Sequence, residues 1–166
     1  MGVNDVTEAG VGELMALAEA TPQRLAASTA GMDEGQLRAP LEPGEWSLLQ
    51  ILNHLRACEE VWSHSIHGML AHETPHLQEI HPRQWIKKAS PYTSQLFVDS
   101  LRVFTLRREA LLITLGGLSL ADWAREGWID RKTHTVFSHV RRLVFHERTH
   151  CDHIDGVLGG VAGFSL

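Results

Sequence analysis

The segment His146-Glu147-Arg148-Thr149-His150 sets two imidazoles four residues apart. On an α-helix, residues at i and i+4 stand one turn above another on the same face, so the two rings can share one ion. A third imidazole, His54, lies far upstream between Ile51 and Cys58, at the edge of an apolar arc. These side chains come from a large pool, 11 histidines in 166 residues. Histidine is the commonest side-chain metal ligand and the usual proton carrier near neutral pH. Three neutral imidazoles leave an open coordination position for water or substrate. Cys58, one turn after His54, would close the site as a His3Cys tetrahedron of the structural zinc type; its other reading is a small apolar wall residue.

The same five residues spell His-Glu-x-x-His, the helical signature of zinc peptidases. The extended form of that signature needs Gly at position 153 and His at 156, where this chain has His153 and Gly156. The other form needs an acidic ligand on a further downstream helix, and only 16 residues follow His150. A peptidase is therefore disfavoured. Glu147 points into the middle of the apolar arc of its helix, and a buried carboxylate needs a partner. Arg108 holds the equivalent central position between Phe104 and Leu111. A structural Arg108–Glu147 ion pair is the preferred reading over a carboxylate that orients a ligand imidazole, because adjacent residues on a helix do not face each other.

Four long helices must position these groups. Apolar residues recur at i, i+3, i+4 spacing, and alternating β-branched runs are absent. The first helix is predicted from about Thr7 to Ala30, with Leu14, Leu17, Leu25 and Ala26 inward and a kink or restart at Thr21-Pro22. Asp33 with Gln36 caps one short turn. The second helix opens on the capping box Ser47…Gln50 and runs to about Ala71, with Leu48, Ile51, Leu52, Leu55, Trp62, Ile66 and Leu70 on one stripe. The third covers about Thr93 to Leu115, with Phe97, Leu101, Phe104, Leu111, Leu112 and Leu115 inward. A short helix is predicted at Ser119–Arg125, and the fourth long helix from Thr133 to Leu158. Its core arc is Val140, Val144, Cys151 and Ile154, with His139, His146, His150 and His153 on one flank.

The connection from His72 to Pro91 is about 20 residues long, against roughly 2–8 for an ordinary turn in a bundle. It can cross the whole bundle, so helices two and three are predicted to run parallel. Helices two and four are then antiparallel. His54, 7 residues after Ser47, and His150, 8 residues before Leu158, fall at one level, about 10–12 Å from the same end. His54, His146 and His150 thus converge on one point; the alternative is an unligated His54 satisfied within the core. The crossover approaches this level near Thr93, so Trp85 either walls the pocket or caps the core, whereas His72 lies at the far end and His76 and His81 fall between.

Composition excludes several classes. The chain is 43% apolar and 21% charged, ordinary globular values that point to one domain over residues 1–166. Its net charge is −5 with no basic block, a poor match for nucleic acid. No run of 18 apolar residues exists, so no membrane span is expected. Met1 to Gly10 has no basic or apolar block of a secretory signal, and the two cysteines, Cys58 and Cys151, make no CxxC. A reduced, cytoplasmic setting is expected.

The run Glu45-Trp46-Ser47, then Gln50-Ile51-Leu52-Asn53-His54-Leu55, with the late His146-Glu147-x-x-His150, resembles the DinB-like superfamily, which includes thiol-dependent S-transferases and maleylpyruvate isomerase-like proteins. The resemblance extends over nearly the whole chain, including Thr21-Pro22, Leu106 to Glu109 and Leu118 to Arg125. It implies an all-α four-helix bundle of up-down-down-up topology, frequently a homodimer. It also implies a divalent ion, zinc or nickel, on one His of helix two and two of helix four, which carry over to His54, His146 and His150. The family often has a further His directly after the last ligand and then a Gln; Cys151 and His153 occupy that stretch here. The implied function is a metal-dependent enzyme of the thiol-transferase or hydrolase kind, acting on a small molecule, with a low-molecular-weight thiol as one expected partner. The alternative is a metal-binding or stress-response bundle without turnover.

Overall fold

The computed structural model describes residues 5–78, 80–83, 94–129 and 131–162. Helix α1 spans Glu8–Ser28, α2 Glu34–Arg38, α3 Leu48–Ala71, α4 Phe97–Gly116, α5 Leu120–Trp123 and α6 Val136–Ala162. Three short strands accompany them: β1 His76–Leu77, β2 Glu126–Ile129 and β3 Lys132–Thr135. Among the described residues, no helix is long and apolar enough to cross a membrane.

Side-chain contacts fix the directions of the long helices. Arg24 pairs with Asp152 and Asp155 at 2.6 Å, and Gly10 faces Phe137, so α1 and α6 run parallel. Trp62 meets His139 while His54 meets His146 and His150, so α3 and α6 are antiparallel. Ser100 donates to Asn53 at 2.8 Å and Arg107 to Glu60 at 2.7 Å, so α3 and α4 are parallel. Arg108 reaches the Ala18 carbonyl and Met15 reaches Gly116, which makes α1 and α4 antiparallel. The result is a four-helix bundle of up-down-down-up order, as the long connection between α3 and α4 requires.

Local sequence explains the helix starts. The Thr7 side chain accepts from the Gly10 N–H. Ser47 and Gln50 form the expected capping box at α3, and Asp33 with Gln36 forms another at α2. At α6, the Ser138 N–H donates to Thr135 Oγ1 at 3.0 Å and the Thr135 N–H donates to Ser138 Oγ at 2.9 Å.

The core has two apolar clusters. One gathers Leu14, Ile66, Met69, Leu111, Trp123, Phe137 and Leu143. The other gathers Leu25, Leu48, Leu52, Leu55, Phe97, Phe104 and Ile154. Arg108, Glu59 and Glu147 stand between them along their helices, each no more than 1% exposed. The Arg108 guanidinium binds Glu147 at 2.6 and 3.0 Å and Glu59 at 2.9 Å. The ion pair predicted between Arg108 and Glu147 is present, with Glu59 as a third member.

Four sequence expectations are corrected. Helix α1 does not restart at Thr21-Pro22; Pro22 lies inside one continuous helix. Its missing N–H leaves the Ala18 carbonyl without a helical donor, and Arg108 donates to that oxygen at 2.7 Å. Ala26, expected inward, is exposed. The segment after α5 is not a plain connection: β2 and β3 form an antiparallel hairpin, and β1 pairs parallel with β2. Gly127 permits the hairpin to pack on α3, since a Cβ there would meet Met69 Cγ at 2.7 Å. The hairpin occupies Thr133 to Thr135, so the fourth long helix starts at Val136. Trp85 and Thr93 lie outside the described residues.

Candidate metal centre

Helices α3 and α6 bring the three predicted imidazoles together. His146 Nε2 lies 3.2 Å from His54 Nε2 and 3.3 Å from His150 Nε2. The ring centroids are 4.7 to 5.2 Å apart, all meeting edge to face. Two nitrogens 3.2 Å apart fit ligand bonds of about 2.1 Å meeting at roughly 100°. Hydrogen bonds alone satisfy this arrangement poorly. A neutral ring nitrogen carries one hydrogen or one lone pair, so His146 Nε2 can serve one of its two neighbours well.

Burial keeps the rings uncharged. It presses His54 down to about 3, helped by the charges of His146, His150 and Arg83. Burial likewise takes His146 to about 4, with His150, Arg142 and Arg83 contributing. His150 is lowered by burial, then by His153 and Arg83. Neutral imidazoles are the form that binds a metal. His146 Nδ1 is buried with no hydrogen-bond partner among the described residues.

Cys58 stands beside the triad. Ligand atoms of His54, Cys58 and His146 all lie within 4.8 Å of one another. The Cys58 Sγ is 3.6 Å from His54 Nε2 and 3.7 Å from Nδ1. A sulfur so nearly equidistant from both nitrogens cannot lie in the ring plane without pressing on Cε1. It therefore sits over the ring face, away from the in-plane lone pair of Nε2. Burial and the nearby Glu147 push the thiol up to about 12. In this arrangement Cys58 is a wall of the site.

Aromatic rings frame the triad on two sides. Trp46 packs edge to face on His54 at 5.2 Å and Trp62 on His146 at 5.3 Å. Each indole carries an arginine: Arg83 lies 5.1 Å from the Trp46 ring and Arg142 5.4 Å from the Trp62 ring. Both Glu147 oxygens are bound to Arg108, so this carboxylate is not a base at the site.

Of the other histidines, His153, His72, His76 and His81 are exposed. His76 stacks on Trp128 at 5.8 Å. His139 is 1% exposed, beside Trp62 and His134, and both of its ring nitrogens lack a hydrogen-bond partner among the described residues. In the sequence Trp62 belongs to the apolar stripe of its helix, and no motif marks Arg83 or Arg142. The signal for Trp62 was its spacing, 8 residues after His54 on one helix face.

The chain belongs to the DinB superfamily, whose model matches residues 17–154. Among solved structures it is similar to YfiT from Bacillus subtilis, described as a probable metal-dependent hydrolase with an unusual four-helix bundle topology. The two chains are 18% identical, the match covers 99% of this chain and 94% of that one, and the TM-score is 0.85. At that identity the likeness shows the fold. No curated protein matches the sequence.

Proposed function

We propose that His54, His146 and His150 bind one divalent ion, zinc or nickel, through their Nε2 atoms, and that the protein is a metal-dependent enzyme acting on a small molecule. The observation that carries this reading is the meeting of the three Nε2 atoms around His146. Such an ion would supply a Lewis-acidic position where water or a thiol loses its proton near neutral pH. The protein's part is to hold three neutral imidazoles, wall the site with Trp46, Trp62 and Cys58, and keep the opposite position open.

Two chemistries use such a position. Hydrolysis draws support from the description of YfiT. Thiol transfer draws support from the resemblance of the sequence to thiol-dependent S-transferases, since a thiol bound to such an ion loses its proton. The position of Cys58 over the His54 ring argues against a closed structural site. Pairing of two copies is also proposed, with the exposed Val98, Leu106 and Ile113 of α4 as supporting observation; light scattering checks it.

Metal analysis of the purified protein tests the centre. One equivalent of zinc or nickel is expected in the wild type and none in His150→Ala. Full metal content in His150→Ala would overturn the ligand set. A screen of low-molecular-weight thiols with electrophiles, beside ester and amide substrates, then separates transfer from hydrolysis.

A further inference from the structure

The chain carries a net charge of −5, yet the side chains around the three imidazoles have the opposite sign. Arg83 rests on Trp46, whose edge meets His54. Arg142 rests on Trp62, whose edge meets His146. The two indole–arginine pairs thus flank the triad, one against each of two imidazoles. Among the described residues, no carboxylate lies within ion-pair reach of Arg83, while Arg24, Arg38, Arg107, Arg108 and Arg148 each hold an acidic partner. The nearby acidic side chain, Glu147, is turned into the core and held by Arg108.

We infer that Arg83 holds an oxyanion group, a carboxylate or a phosphate, of the small molecule that reacts in front of His54, His146 and His150. This rests on the proposed metal centre and adds the class of its ligand. An indole face orients a guanidinium while leaving its N–H edge free, and that edge matches two oxygens of one oxyanion. Arg83 lies 5.1 Å from the Trp46 ring, and that ring lies 5.2 Å from the His54 ring. A bound anion would therefore lie within reach of both the guanidinium and the ion. Positive charge at the mouth of an otherwise acidic protein would also draw anionic ligands to this face.

The test is calorimetric titration of metal-loaded protein with malonate, with inorganic phosphate, and with neutral malonamide at constant ionic strength. Malonate or phosphate is expected to bind and malonamide to fail; the anion bound more tightly identifies the group. R83A should weaken the anion at least tenfold, and R83K should fall between, with metal content and melting temperature unchanged in both. Equal affinity in R83A, or no binding of either anion by the wild type, would overturn the inference. Should the protein take up no metal, the metal centre fails by itself. The same titrations on metal-free wild type and R83A then decide the role of Arg83.

Discussion

Arg108 donates to the carbonyl of Ala18 at 2.7 Å, the one helical acceptor that Pro22 leaves without its donor. A proline in a helix interior costs about 3 kcal/mol, in part through that lost hydrogen bond. Here a guanidinium from α4 makes up the bond. Pro22→Ala is thus expected to stabilise the protein by clearly less than about 3 kcal/mol. Arg108→Met should cost roughly 1 kcal/mol less in the Pro22→Ala background, where the restored amide supplies the carbonyl. A double-mutant cycle by urea unfolding checks this; strictly additive effects would show that Arg108 does not stand in for the missing donor.

The same guanidinium pairs with both Glu147 and Glu59 between the two apolar clusters. Burial raises the Glu59 carboxyl to about 7, against the pull of Arg108. Removing one member of a buried pair leaves an uncompensated charge and costs about 3–5 kcal/mol. Glu147→Ala is expected to fall in that range. Glu147→Gln, which keeps the shape and one acceptor, should cost less and leave metal stoichiometry intact. Were Glu147→Gln to fold normally and lose the metal, the purely structural role of this glutamate would be wrong.

The long helices were legible because each buries a stripe repeating at 3.6 residues. The parallel course of α3 and α4 was legible because a connection of about 20 residues is too long for a turn. The triad followed from the i, i+4 pair and a count of turns to His54. The hairpin was not legible: four-residue strands carry almost no period, and Gly127 and Trp128 hide what alternation there is. Yet the β-branched Thr133 and Thr135 were a usable hint. Pro22 misled because the rule for proline is local, whereas its remedy sits on another helix. Glu59 was missed because residues 51 to 59 of α3 are all buried, so a helical wheel cannot single it out. Arg83 lies on an aperiodic crossover, where spacing says nothing about proximity.

Cys58 distinguishes an open centre from a closed one. Its sulfur over the His54 ring is a packing contact, and a small side chain replaces it at modest cost. Cys58→Ala should retain one equivalent of metal. Cobalt-substituted wild type should lack the near-ultraviolet absorption of a cobalt–thiolate bond. A strong band that vanishes in Cys58→Ala would make the cysteine a fourth ligand.

His139 should set an acid limit on folding. Burial lowers it to about 3, with the charges of His134 and Arg142 adding to the effect. Trp62 covers one side of the ring at 6.1 Å, and neither nitrogen finds an acceptor among the described residues. In the unfolded chain the same imidazole takes a proton near pH 6.5. Between pH 6.5 and about 3 the unfolded state therefore binds a proton that the folded state refuses. Its contribution is neutral above that window, and stability falls as pH drops through it. Glu59 acts in the opposite sense: its raised carboxyl contributes stability at low pH that is lost as pH rises through about 7. Substituting His139 isolates its share. His139→Phe should gain, relative to wild type, on the order of 2 kcal/mol between pH 7 and pH 5. Urea unfolding of the metal-free proteins at both pH values measures it. A difference between the two proteins that stays constant with pH would show that His139 is protonated in the fold and finds an acceptor there.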